Sequence, residues 1–189
     1  MDAQMVLKGS IEALKLLSLE GLTVTGDALH CHRRMTKSVR DGGGNYVLAI
    51  KANQSKLANQ ANAALDTAAA SKRTRFHQTQ EHGHGRTEVR RAFVIPFTQT
   101  PGKNALIDLC AVGRIESWRT VNGKTTHKVR CYGLSRKMPA QELLATVRRH
   151  WSIENDLHWQ LDVLLGEDQI RSRKNNAPAH HAILRRLAL

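Results

Sequence analysis

Apolar residues recur at helical spacing across residues 139–165, and one position inside that stripe holds a carboxylate. Plotted at roughly 100° per residue, Leu143, Val147, Trp151, Leu157, Leu161 and Leu165 gather on one side of the helix. Arg148, Arg149, Ser152, Asn155, Asp156 and Gln160 gather on the other. Glu154 falls near the centre of the apolar side, flanked by His150 and His158. A carboxylate buried there without a partner costs several kcal/mol or titrates far from its usual range. It therefore calls for an ion pair, such as one with His150 or His158, or for a metal or a catalytic task.

The pattern upstream predicts the elements that would surround this helix. Residues 3–18 carry a ragged apolar face of Val6, Ile11, Leu14, Leu16 and Leu17, ended by Gly21. Residues 22–27 form a short β-branched run closing on Asp27, and residues 30–40 read as a helix stopped by Gly42-Gly43-Gly44. Tyr46-Val47-Leu48-Ala49-Ile50 is continuously apolar, the mark of a strand buried on both faces. Strand, helix, strand at this spacing is a βαβ unit with parallel strands. That arrangement places Asp27 and the segment Lys51-Ala52-Asn53-Gln54 at the same carboxyl edge, where open α/β sheets bind ligands.

Residues 53–70 predict a helix, and residues 71–91 read as a long polar stretch. Three strands are expected next, at 91–97, 107–119 and 124–134, the first of them an edge strand because of Pro96. Asn122-Gly123 between the last two is a strong type I′ hairpin signal. The hairpin is expected to lie beside the parallel sheet, outside it. Pro139 suits the first turn of the long helix, and a final helix is expected over 176–189.

Charge changes this picture most among the bulk properties. The 189 residues hold 29 Lys and Arg against 16 Asp and Glu, a formal net charge of +13. The pI near 10.3 points to a polyanionic partner, most often nucleic acid. The charge is spread along the chain, which favours a charged face over a basic tail. Cys31, Cys110 and Cys131 are odd in number and form no CxxC pair, so neither a disulfide framework nor a thiolate zinc site is supported. No run is long enough to span a bilayer and no signal-peptide pattern opens the chain, so a reducing, cytoplasmic setting is expected. His77, His82 and His84 lack a fourth ligand at metal-site spacing and read as polar loop residues.

Candidate chemistry centres on Asp27 at its strand end and Glu154 on its helix. Two carboxylates drawn together repel, and a hard divalent cation such as Mg²⁺ relieves the repulsion. In a basic protein that pairing suits phosphodiester chemistry, with metal ions activating the nucleophile and stabilising the leaving oxygen. Asp27 also suits a helix cap. Asp162 is rotated off the stripe and reads as structural. Trp151 and Trp159 could stack on bases, although Trp151 belongs to the apolar stripe. Arg171, Arg173 and Lys174 could face solvent or a phosphate backbone.

Four ordered motifs resemble those of bacterial insertion-sequence transposases of the ISAs type, the group of the H-repeat-associated proteins. They are Val24-Thr25-Gly26-Asp27-Ala28-Leu29-His30-Cys31, then Tyr46 to Gln54, then His84-Gly85-Arg86-Thr87-Glu88-Val89-Arg90, and last His150 to Val163 followed by Glu167-Asp168-Gln169-Ile170-Arg171. The resemblance implies a DDE catalytic core on an α/β, RNase H-like fold, in which two aspartates and a glutamate hold two Mg²⁺ ions, with Mn²⁺ as an alternative. Asp27 falls on the second aspartate, Glu154 on the glutamate, and residues 71–135 on a β-rich insertion. Residues 1–189 are then a partial catalytic domain: a βαβ unit, the glutamate-bearing helix and an inserted antiparallel β-rich segment.

The implied partner is DNA at insertion-element ends, bound without any membrane and by a chain that assembles with itself or with a full-length transposase. Candidate phosphate contacts are Lys51, Arg86, Arg90, Arg171, Arg173 and Lys174. The family's first aspartate sits in an Asp-Gly-Lys motif, which this sequence lacks, and Asp2 stands in a different context. The expectation is a fragment shortened at the amino end and also at the carboxyl end, inactive alone. The competing readings are a non-enzymatic DNA-binding remnant or inhibitor of full-length transposase, and a decayed frame without selected function.

Overall fold

The computed structural model describes residues 3–71, 74–83, 85–153 and 177. The chain separates into two compact units, Met1–Thr146 and Val147–Leu189. The first contains α1 (Ala3–Lys15), β1 (Thr23–Gly26), α2 (Arg33–Asp41), β2 (Asn45–Ile50), α3 (Ser55–Ala70), β3 (His77–Gly83), β4 (Arg86–Pro96), β5 (Ala111–Val121) and β6 (Lys124–Leu134). The helix α4 (Ala140–Ile153) runs across the division. The expected continuation of that helix to residue 165, with Glu154, and the expected helix at 176–189 lie outside the described residues.

Six strands form one sheet in the order β1-β2-β6-β5-β4-β3. β1 and β2 pair in parallel, from Thr23 opposite Asn45 to Gly26 opposite Leu48, as the βαβ pattern requires. Their connection, α2, ends where the chain turns at Gly42-Gly43-Gly44. Gly43 adopts φ +78 and its amide bonds the Arg40 carbonyl, a left-handed helix ending that glycine allows at little steric cost. All the other pairings are antiparallel.

Both faces of β2 are covered, which is why its text is continuously apolar. Tyr46, Leu48 and Ile50 belong to one core cluster with Met35 and Val39 of α2 and Leu57, Ala61 and Leu65 of α3. Val47 points the other way, in line with the buried Leu134 and Ala111 of β6 and β5. The first turns of α4 pack closely on this second face. A Cβ added at Gly113 would collide with Leu143 Cδ2, so glycine is what permits the approach. On the first face Arg114 joins sheet to α3, with its guanidinium 2.7 Å from Asp66. Burial disfavours that charge, yet the bonds to Asp66 and Cys131 outweigh it and hold the pKa above its ordinary value.

Three expectations change. Residues 77–83, expected within a polar stretch, form β3. The strand consists of His77-Gln78-Thr79-Gln80-Glu81-His82-Gly83, with no large apolar residue, and lies at the outer edge of the sheet, so no apolar alternation marks it. β4 is not an edge strand, since β3 covers it as far as Ala92 opposite His77; Phe93–Pro96 alone have a free side, and Pro96 is tolerated there. The β5–β6 hairpin does not stand outside the parallel pair. It turns at Asn122-Gly123, both at positive φ as a type I′ turn demands, but β6 then pairs directly with β2, antiparallel, from Val47 opposite Leu134 to Ile50 opposite Cys131.

Candidate active site

Asp27 is the first residue after β1 and takes two roles there. Its Oδ1 accepts the amides of Leu29 at 3.0 Å and His30 at 3.4 Å, capping the short 3-10 turn Ala28–His30. The same Oδ1 meets His30 Nδ1 at 2.8 Å, and His30 Nε2 lies 3.2 Å from the Ser10 hydroxyl on α1. Among the described residues every contact of the carboxylate falls on Oδ1. The side chain is 60% exposed, so Oδ2 remains open to an incoming ligand. Partial burial pushes the carboxyl pKa up, but the hydrogen bonds from His30 and Leu29 outweigh it and the net shift is downward. Asp27 is ionised at neutral pH.

The segment after β2 arrives at the same edge. Asn53 donates to the Ala28 carbonyl at 2.6 Å and Gln54 to the Cys31 carbonyl at 2.9 Å, so two side chains from the end of β2 clamp the turn that follows β1. Lys51 is exposed beside them. The parallel pairing thus brings Asp27 and residues 51–54 together. Sequence reasoning missed His30, Ser10 and the specific carbonyls that Asn53 and Gln54 reach. The spacing of Asp27 and His30 across one turn was the only signal available for them.

The other candidates divide. Arg86 is exposed at the start of β4. Arg90 is not available as a free phosphate contact: its guanidinium is 3.0 Å from Glu81 and 2.7 Å from Glu88, and its side chain is only 18% exposed. Glu154, Asp162, Arg171, Arg173 and Lys174, with His158 and Trp159, lie outside the described residues. On α4, Leu143 and Val147 are buried and Arg148, Arg149 and Ser152 exposed, as the stripe predicts. Trp151 is half-buried, edge-on to the His150 ring.

His77 and His82 lie on β3, where the His82 ring contacts Gln80 and Thr87, so they are strand residues and not loop residues. All three cysteines are free. Burial pushes the Cys31 thiol up to about 12, which leaves it an unreactive core residue. No group of three or more His, Cys, Asp or Glu among the described residues is arranged to hold a metal. Asp27 fits one ligand position of a hard-cation site, being ionised, oxygen-donating and open at Oδ2. It requires further ligands beyond that set.

Asp27 is thus an ionised carboxylate at the carboxyl edge of a parallel strand pair, in a strongly basic mixed α/β chain. The family model described as the transposase DDE domain matches residues 2–189. The chain belongs to this family. It is 30% identical over 191 residues to "Putative protein YbfL" of Escherichia coli K12, which covers 94% of this chain and 49% of that protein. It is 32% identical to "Putative transposase YncI" of Escherichia coli O157:H7, over 94% of this chain and 47% of that one. It is 29% identical to "H repeat-associated putative transposase YhhI" of Escherichia coli K12, over 94% and 49%. The chain thus spans about half the length of the curated relatives it matches. A sugar N-methyltransferase from Streptoalloteichus sp ATCC 53650 overlaps 59% of this chain and 38% of its own with a TM-score of 0.26 at 16% identity, and that overlap carries no argument. Among the described residues no helix is long and apolar enough to cross a membrane.

Proposed function

We propose that this chain is part of the catalytic domain of a DDE transposase with an RNase H-like core, acting on the DNA ends of an insertion element by metal-dependent strand cleavage and strand transfer. The observation that carries the reading is Asp27. It is ionised, held at Oδ1 by the 3-10 turn and His30, and open at Oδ2 on the carboxyl edge of the parallel strands. Glu154, the carboxylate out of place in an apolar helix stripe, is its partner ligand in this reading.

Divalent ions held by such carboxylates, Mg²⁺ or Mn²⁺, supply charge that activates the attacking oxygen and stabilises the leaving one. The chain's own residues do the positioning. The amides of Leu29 and His30 hold one carboxylate oxygen so that the other keeps a fixed direction, and Asn53 and Gln54 lock the turn to the end of β2. Fixed ligands matter because in-line displacement at phosphorus tolerates little misplacement. The 189 residues contain no Asp-Gly-Lys, so the remaining aspartate of the family site is assigned to sequence outside them. The polypeptide taken alone is then unable to cut DNA.

Paramagnetic Mn²⁺ tests the site without relying on activity. In the amide spectrum of the chain, Leu29 and His30 should broaden first on titration with Mn²⁺. Asp27→Asn should abolish that broadening, and Glu154→Gln should weaken it. Broadening that survives in Asp27→Asn, or none at all in the unaltered chain, would remove Asp27 from the metal site.

A further inference from the structure

Strand register divides the outer part of the sheet into two chemically different faces. In β4, β5 and β6 successive side chains alternate between faces, and the pairings Arg86–Val121–Lys124, Glu88–Arg119–Thr126 and Arg90–Ser117–Lys128 put these nine residues on one side. Arg86, Arg119, Lys124 and Lys128 on that side are exposed. None of the four makes an ion pair among the described residues, and the carboxylates of this face, Glu81 and Glu88, both grip Arg90. The opposite face is different. There Trp118 stacks on His127 with ring centres 4.7 Å apart, and the Arg91 guanidinium lies 4.7 Å from the centre of the Phe76 ring.

Topology aims the cationic face. β6 runs antiparallel to β2 and passes Ile50 at Cys131, so residues 124–130 project beyond the carboxyl edge that carries Asp27. At about 3.3 Å per residue this projection is roughly 20 Å long, on the order of two-thirds of a turn of duplex DNA. The cationic face is also the one on which the first turns of α4 pack, since Gly113 shares it and meets Leu143.

We propose that this face is a docking surface for the phosphate backbone of duplex DNA, carrying the duplex toward the edge marked by Asp27. The inference rests on the DNA-directed reading above and adds the surface that does the binding. Charge spread over three neighbouring strands suits a long polyanion better than a compact anion. The face between the cations is hydroxylic, with Thr126 and Ser117, and offers one exposed apolar side chain, Val121, too little to insert into a membrane. Lysine, arginine and hydroxyl donors are the groups that contact phosphates without reading bases.

Fluorescence anisotropy with a labelled duplex of arbitrary sequence, about three helical turns long, tests this over a salt series. The variant Arg119→Gln/Lys124→Gln/Lys128→Gln removes three exposed charges from the face. Lys8→Gln/Arg34→Gln/Lys103→Gln removes three exposed charges elsewhere. Each phosphate contact contributes close to 0.9 to the slope of log affinity against log salt, so the face variant should lose roughly 2 to 3 of slope and bind at least about tenfold more weakly. The control should bind nearly as the unaltered chain does, and Arg119→Lys/Lys124→Arg/Lys128→Arg should restore binding. Equal loss in both glutamine variants, or none in the face variant, overturns the assignment of the surface alone. No binding by the unaltered chain at low salt overturns the DNA reading itself.

Discussion

Asp27 closes the turn after β1 and presents a free carboxylate oxygen from it, and the two roles separate by substitution. Asparagine keeps a side-chain oxygen that can accept the Leu29 amide, whereas alanine does not. Asp27→Ala should lower the unfolding free energy by about 1 kcal/mol, and Asp27→Asn by only a few tenths; urea titration at neutral pH measures both. The pKa of Asp27 is depressed in the folded chain, so its contribution is complete above the unfolded value near 3.8 and is lost as pH falls through the lower folded value. The stability gap between the unaltered chain and Asp27→Asn should therefore narrow as pH drops below about 4; a gap that widens there would contradict the depressed pKa. At this scale the cap was legible, since an aspartate at a strand end announces one, and its role as a ligand belongs to the proposal. The histidine and serine that hold it depend on how α1 meets the turn, which no local pattern encodes.

Element by element, the elements with an apolar signature were readable and those without one were not. The β1–α2–β2 unit followed from its hydrophobic run and glycine stop, and the β5–β6 turn from Asn122-Gly123. The half-buried face of β3 carries His77, Thr79 and Glu81 instead of apolar residues, so its polar text resembles a loop. The pairing of β6 with β2 was hidden for another reason: residues 131–134 are buried on both faces, but register across 80 residues of sequence leaves no local trace. Two substitutions test the packing assigned here. Gly113→Ala should destabilise by about 1 to 3 kcal/mol, because its Cβ would collide with Leu143 Cδ2 and that fully buried side chain must repack to admit it. Gly123→Val should cost about 1 to 2 kcal/mol by placing a β-branched residue at φ +74, and should speed amide exchange at the β5–β6 tip more than in β1 and β2. Uniform exchange across the sheet would deny the hairpin its local role.

At the scale of the whole molecule, composition gives a large positive charge and register shows how it is distributed. A net charge of +13 does not distinguish a diffuse cloud from a directed surface. The alternation of β4, β5 and β6 does, because it collects exposed cations on one side and aromatic contacts on the other. Family membership was legible from four ordered motifs and is carried by the match over residues 2–189. In the proposed reading Asp27 and Glu154 are two of the three carboxylates of the family site, and the 189 residues contain no Asp-Gly-Lys to supply the third. The most direct test of this account is Mg²⁺-dependent cleavage of a duplex bearing an insertion-element end, comparing the 189-residue chain with the same chain joined to an upstream segment carrying Asp-Gly-Lys. The account predicts no cleavage by the short chain, cleavage by the extended one, and loss of that cleavage in both Asp27→Asn and Glu154→Gln. Metal-dependent cleavage by the short chain that Asp27→Asn removes, or cleavage by the extended chain that survives Glu154→Gln, would contradict it.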